Sequence, residues 1–228
     1  MLKKIARHLL TPYLWSHTSA EMGLGQLTYS QFGEDILVRE FFRNKPVGFY
    51  VDVGAFHPVY YSNTYALYKL GWSGLAIDAN GDLEGLYRRF RLRDRFIHTV
   101  VGKSEGKAQF VRFDYGAFDR LEEFLSEVPE QFRDGQQTSE VNVRRLDHVL
   151  AENGVTNVDF LNIDCEGSDI EILSTVDLTV VRPSLISVED HSRDWMESPL
   201  VRMLSENRFR PYGRCGLSTL FVNCELPD

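Results

Sequence analysis

Two aspartates each close an apolar run: Asp52 in "FYVDVG" and Asp78 in "GLAIDAN", twenty-six positions later. That spacing is one strand–helix–strand unit, and an acid at the second strand's tip can accept hydrogen bonds from both hydroxyls of a ribose. Gly54 follows the first acid, yet Ala55, Phe56, His57 and Pro58 stand where a dinucleotide fingerprint needs two further glycines. Phe56 and His57 obstruct the backbone approach a pyrophosphate requires, and Pro58 has no N–H to offer it. The ligand implied carries adenosine without a pyrophosphate, as S-adenosylmethionine does with its short zwitterionic tail. Asp78 has an ordinary alternative as the N-cap of the helix after it, and Asp52 one as a loop cap.

A second group of ionisable residues closes two later apolar runs. "VDFLNIDCEGSDIEIL" (158–173) ends its strand in Asp164 and Glu166, and "ISVEDHS" ends in Glu189, Asp190 and His191. Tips of neighbouring strands adjoin in a doubly wound sheet, so these five groups are expected to converge. Clustered acids are costly to desolvate unless they meet a cation, a donor or a substrate hydroxyl. Convergence points to a catalytic cluster; separately, Asp164 would cap a loop and His191 would sit on the surface. Ser168 and Glu171 have capping-box spacing at the start of the next helix.

Positioning these groups takes an alternating α/β chain. Strands are expected at 47–53, 74–77, 95–101, 158–163 and 185–189, and helices at 63–70, 83–92, 146–153, 168–173 and 199–206. Such alternation builds a parallel sheet with helices on both faces. Two closing strands, 209–212 and 219–223, add an antiparallel pair. The stretch 107–143 breaks the rhythm: two short strands flank a polar segment, an insertion near the strand tips where ligands bind. It is either a substrate-facing cap or a surface excursion.

Composition narrows the partners. At 228 residues the chain fits one domain with extensions, and its net charge of −8 opposes a nucleic-acid groove. "RRFRLRDR" (88–95) is basic, but Leu86, Phe90 and Leu92 fit a solvated helix face. Three cysteines without C-x-x-C spacing fit a reducing compartment, so a cytoplasmic location is expected. No apolar run is long enough to span a membrane. "MLKKIARHLLTPYLW" lacks a small-residue cleavage site. It sets Leu2, Ile5, Leu9 and Leu10 against Lys3, Lys4 and Arg7, a helix for packing, for a homo-oligomer contact or for a membrane surface.

"SQFGEDILVREFF", "GFYVDVGAFHPVYYSNTYALYKLGWSGLAIDAN", "VDFLNIDCEGSDIEIL" and "RPSLISVED" together resemble the FkbM family of S-adenosylmethionine-dependent methyltransferases, in order from Ser30 to Asp190. The resemblance implies the class I, Rossmann-like methyltransferase fold, a doubly wound seven-stranded sheet, mostly parallel with an antiparallel C-terminal strand. It implies O-methylation of a hydroxyl on a sugar, glycan or secondary metabolite. Cofactor contacts carry over to Asp52, Gly54, Ser62, Asn63 and Asp78, and the SQ-x-GED stretch, with Gln31 and Glu34, to a helix start over the cofactor. The chain departs from the family in having Phe56 for Asn, and Asp78-Ala79 for Glu-Pro. The domain is expected over 30–228, behind a helical extension over 1–29.

The base for such a reaction is drawn from His191, Glu166 and Asp164. By similarity to certain sugar O-methyltransferases of this fold, Asp164, Glu189 and Asp190 would instead hold Mg²⁺. Two rivals remain at this level. A nucleotide-sugar or NAD-binding oxidoreductase would share the fold but needs the glycine-rich turn this chain lacks. A silent cofactor-binding interaction module would not need the acid cluster.

Overall fold

The computed structural model describes residues 26–113, 120–122, 125, 128, 130 and 136–226. The N-terminal helical extension expected over 1–29 lies outside them, apart from an irregular stretch at 26–29. The alternation read from the sequence is present. Strands β1 (Phe49–Val53), β2 (Ser73–Asp78), β3 (Arg95–His98), β8 (Phe160–Ile163), β9 (Leu185–Glu189), β10 (Phe209–Cys215) and β11 (Ser218–Asn223) form one sheet in the order β10-β11-β9-β8-β1-β2-β3. β1 lies between β2 and β8 and runs parallel to both, whereas β11 is antiparallel to β9 and β10. This is a seven-stranded, mostly parallel sheet with one reversed strand.

The central strands are apolar on both faces because helices cover both. Val51, Leu161, Ile163 and Ile186 are fully buried in the larger core, and Tyr50, Trp72 and Phe160 fill the smaller one beneath the helix Glu34–Phe41. That helix follows Gly33, whose φ of +94° favours glycine, and places Glu34 and Asp35 in its first turn, where the macrodipole welcomes negative charge.

The strand expected over 95–101 divides. Thr99 bonds to the Asp78 carbonyl, and β4 (Val100–Val101) turns into a second sheet with β5 (Gly106–Arg112), β6 (Arg120–Leu121) and β7 (Gln137–Arg144), ordered β4-β7-β5-β6. β5 and β7, the two strands flanking the insertion, pair antiparallel.

The stretch 88–95 is solvated at Arg88, Arg89, Arg93 and Arg95, and Arg91 is the exception. Its helix stops at Phe90, so the next side chain, Arg91, turns inward and is fully buried, while Phe90 and Leu92 are exposed. Arg91 donates to Asp94 Oδ2 (2.6 Å), the Pro58 carbonyl (2.9 Å), the Tyr50 hydroxyl (2.8 Å) and Thr64 Oγ1 (2.9 Å). The rings of Tyr50, Tyr65, Tyr68 and Tyr87 surround its guanidinium at 4.9–5.7 Å. A buried cation persists only when so compensated.

Candidate active site

The tips of β1, β2 and β8 are tied together. Gly54 and Ala55 N–H donate to the Ile77 carbonyl at 2.9 and 3.1 Å, and Asp164 N–H donates to Val53 O at 2.9 Å. Gly54 has φ +75°, and a Cβ there would overlap the Asp164 carbonyl oxygen, so no other residue lets the two tips approach this closely. Above them opens a cavity of about 220 Å³. Its wall contains Gln31, Glu34, Gly54, Phe56, Tyr61, Asn63, Asp78, Asp164, Glu166 and Glu189, and Val100, Val101 and Phe110 of the second sheet close one side. Of the inserted stretch 107–143, Phe110 thus reaches the cavity wall.

Asp78 organises the rim while lining it. Its carboxylate accepts from Phe56 N–H (2.8 Å) and Asn80 N–H (2.7 Å), fastening the loop after β1 to the loop after β2. It does not cap the following helical turn; Asn80 does, accepting from Asp82 N–H at 3.1 Å.

Two residues expected at the cofactor lie beneath the wall. Asp52 is buried and accepts from Thr64 Oγ1 (2.6 Å) and Asn162 Nδ2 (2.9 Å); burial raises its carboxyl's pKa, with those bonds opposing the shift. Ser62 Oγ accepts from Tyr65 N–H at 3.1 Å, opening the helix Tyr65–Lys69. Asn63 does line the cavity and donates to Asn162 Oδ1 at 3.1 Å. Glu34 lines it too, its Oε2 accepting from Phe32 N–H at 2.9 Å.

The acid cluster is partly rearranged. Asp164, Glu166 and Glu189 each offer an oxygen within 4.8 Å of the others. Burial, then the neighbouring Glu189, Asp169 and Glu166 charges, hold the Asp164 carboxyl well above the usual carboxylate range. Glu166 stands in the left-handed region at φ +52°, a strained backbone for a non-glycine.

Asp190, expected as a third metal ligand, is not one of this trio. It is buried elsewhere, accepting from Ser192 N–H at 2.9 Å, and although burial opposes ionisation, its hydrogen bonds hold its carboxyl below the usual value. Period-two alternation explains this: consecutive residues at a strand end point to opposite faces. His191 lies outside the wall, half-exposed, with Nε2 3.2 Å from Glu189 Oε2.

The capping box is a further correction, since Ser168 makes no side-chain cap. Asp169 closes that turn, accepting from Cys165 N–H (2.8 Å) and Gly167 N–H (3.0 Å), and burial raises its pKa to about 7 despite those bonds.

Arg91 and Asp169 were not singled out in the sequence, yet both hold loops that carry wall residues. The only written signal for Asp169 is an acid two positions after Gly167; for Arg91 it is a cation at a helix end beside Asp94.

Known proteins give the chain a context. No curated protein matches it significantly. Among solved structures it is similar to the Burkholderia thailandensis 1,6-didemethyltoxoflavin-N1-methyltransferase, crystallised with 1,6-didemethyltoxoflavin and S-adenosylhomocysteine. That likeness has 13% identity and a TM-score of 0.40, covering 83% of this chain and 74% of the other, and carries no functional argument at that distance. Residues 52–211 match the methyltransferase FkbM domain. A match over well more than half of the sequence, running from the tip of β1 through the acid cluster into β10, means that this chain belongs to the FkbM methyltransferase family.

Proposed function

We propose that this enzyme transfers a methyl group from S-adenosylmethionine to a hydroxyl of a sugar, glycan or secondary metabolite. The observation that carries the reading is the paired tip: Gly54, with no room for a Cβ, beside Asp78, whose carboxylate lines the same cavity. A pyrophosphate would need the backbone space that Phe56 and Pro58 deny it. The residues thus fit adenosine with a short tail. When bound, the cofactor supplies an electrophilic methyl carbon on a sulfonium.

The chain's residues do the remainder. Asp78 accepts from the ribose hydroxyls, Gly54 and Asn63 border the tail, and Gln31 and Glu34 close over it. Phe56, Val100 and Phe110 exclude water. Glu166, which shares the β8 tip with Asp164 and lines the cavity, takes the acceptor's proton. His191, reached through Glu189, passes that proton to solvent.

The trio within 4.8 Å gives a second reading for this step, because three carboxylate oxygens form a hard-cation set. Loss of activity with EDTA and its return with Mg²⁺ would assign the trio to a cation instead.

The free cysteines Cys165, Cys215 and Cys224 accord with a cytoplasmic setting, and none of the described helices is long and apolar enough to cross a membrane. Residues 1–15 would provide any peripheral membrane or subunit contact.

The test is calorimetry with S-adenosylhomocysteine and NAD. We expect the first to bind and the second not to, and Asp78→Ala to weaken binding by about 1–3 kcal/mol, the scale of a lost charged hydrogen-bond pair. Binding of NAD without S-adenosylhomocysteine would sink the reading.

A further inference from the structure

We infer that the cavity selects its acceptor by charge and shape: it takes a neutral or cationic molecule with an apolar face and rejects one bearing phosphate. This rests on the methyltransfer reading and names the class of its second substrate.

The wall's charge is one-sided. Among the described residues it carries Glu34, Asp78, Asp164, Glu166 and Glu189 and no Lys, Arg or His. Nearby basic groups stand outside it and are engaged. Arg112 donates to Asn80 Oδ1 and Asp82 Oδ2, Arg214 donates to the Asp190 and Gly216 carbonyls, and His191 faces Glu189. The inserted segment does not redress the balance, because residues 114–135 contain seven Asp and Glu against two Arg. S-adenosylmethionine brings a single net positive charge, so the wall stays acidic once it is seated. Phosphate recognition uses Arg, Lys or a run of free N–H groups, and here carboxylates occupy the corresponding ground. Like charges brought together in a half-buried site oppose binding strongly, by about 10²-fold or more.

The mouth supplies the apolar half. Phe32, Tyr61 and Leu217 border the cavity and remain 55%, 50% and 38% exposed. They are held in place. Phe32 lies over Gly216, where a Cβ would strike its ring. Tyr61 stacks on Phe56 with ring centroids 6.4 Å apart, and both sit at positive φ, +54° and +44°. Bulky residues keep that backbone only where their surroundings impose it, and such strain gathers at binding sites. Preset aromatic faces around an acidic floor suit a ring whose C–H face packs on the aromatics while its hydroxyls or an amine donate to the carboxylates.

This places the enzyme in a sequence of reactions. A sugar still joined to a nucleotide diphosphate, or still phosphorylated, is excluded. For a sugar acceptor, the supplying step is therefore a glycosyl transfer from the activated carrier or the hydrolysis of a phosphate ester.

The test uses the full chain saturated with S-adenosylhomocysteine, with loading confirmed by calorimetry. Saturation-transfer NMR would compare p-nitrophenyl hexosides with the corresponding hexose 1-phosphates and UDP-hexoses. We expect contacts from at least one hexoside, and about 10²-fold weaker binding of every phosphate-bearing partner. Replacing both carboxylates, Glu166→Gln with Glu189→Gln, should narrow that gap at least about tenfold. Phosphate-bearing ligands that bind as well as the hexosides, a loaded protein that no hexoside contacts, or a gap unchanged in the folded double variant would each overturn the inference. A protein that fails to take S-adenosylhomocysteine would instead sink the methyltransfer reading, and this inference with it.

Discussion

Replacing Arg91 with methionine keeps most of the side chain's volume and removes its charge, which makes it the sharpest test of how the site is held. The guanidinium loses its bonds to Asp94, Tyr50, Thr64 and the Pro58 carbonyl. The Asp94 carboxylate, fully buried, keeps the Tyr50 hydroxyl at 2.7 Å and Gly74 N–H at 3.0 Å but loses its counter-charge. Breaking a buried ion pair from one side costs about 3–5 kcal/mol, and the lost hydrogen bonds are part of that figure rather than an addition to it. Against a total of roughly 5–15 kcal/mol for a domain, the loss is severe. Because Pro58 and Thr64 bracket the loop carrying Tyr61 and Asn63, affinity for S-adenosylhomocysteine should also fall, by about tenfold. Urea unfolding with a common m-value, together with calorimetry at a temperature where the variant is folded, measures both effects. Adding Asp94→Asn removes the stranded charge and should recover part of the stability. The reasoning fails if Arg91→Met costs less than about 1 kcal/mol, or if the two substitutions simply add.

Three further outcomes follow from the same geometry. Gly54→Ala should destabilise the fold by about 2 kcal/mol or more, from left-handed backbone strain and the overlap with Asp164, and abolish cofactor binding; unchanged calorimetry would remove the β1 tip from the site. Asp169, with its folded pKa raised from 3.8 to about 7, binds its proton more tightly in the folded state. Its stabilising contribution is complete below about pH 4 and is lost as pH rises through about 7, so the stability of the wild type relative to Asp169→Asn should fall by ~4 kcal/mol over that window; a flat difference refutes the assignment. Asp190→Asn should destabilise by about 1 kcal/mol, because its hydrogen bonds favour the charged form, while leaving methyl transfer within a few-fold; a 10²-fold loss of turnover in the folded variant would return Asp190 to the acid cluster.

What the sequence disclosed depended on range. Strand ends were legible where an apolar run stops at an acid and a glycine, as at Asp52-Val53-Gly54 and Asp164 through Gly167, because burial and turn chemistry are both local. Side-chain direction beyond the strand end was not. Glu189 faces the cavity and Asp190 turns to Ser192, a difference of one residue that depends on where β9 leaves the sheet. Within the otherwise solvated 88–95 patch, Arg91 was missed for a related reason. Periodicity assigns the apolar residues inward, but the helix ends at Phe90, and a pocket of four tyrosines, from β1, the helix Tyr65–Lys69 and the helix that ends at Phe90, receives Arg91 instead. Ser168 fits the capping box in spacing, yet the buried Asp169 carboxylate takes the turn's N–H groups more strongly.

The reversed strand β11 bears on the order in which a nascent chain can complete this sheet. β11 occupies an interior slot between β9 and β10, both of which leave the ribosome before it. Until Asn223 emerges, the outer edge of β9 presents unpaired backbone groups, the kind of edge that recruits another chain. The mouth of the cavity is finished equally late. Phe32 is seated by Gly216, its carbonyl accepts from Cys215 Sγ, and Leu217 and Ser218 complete the wall. Early and late segments must therefore meet to close the mouth. Sheet and mouth are thereby coupled: the turn that leads into the strand filling the β9–β10 gap also seats Phe32.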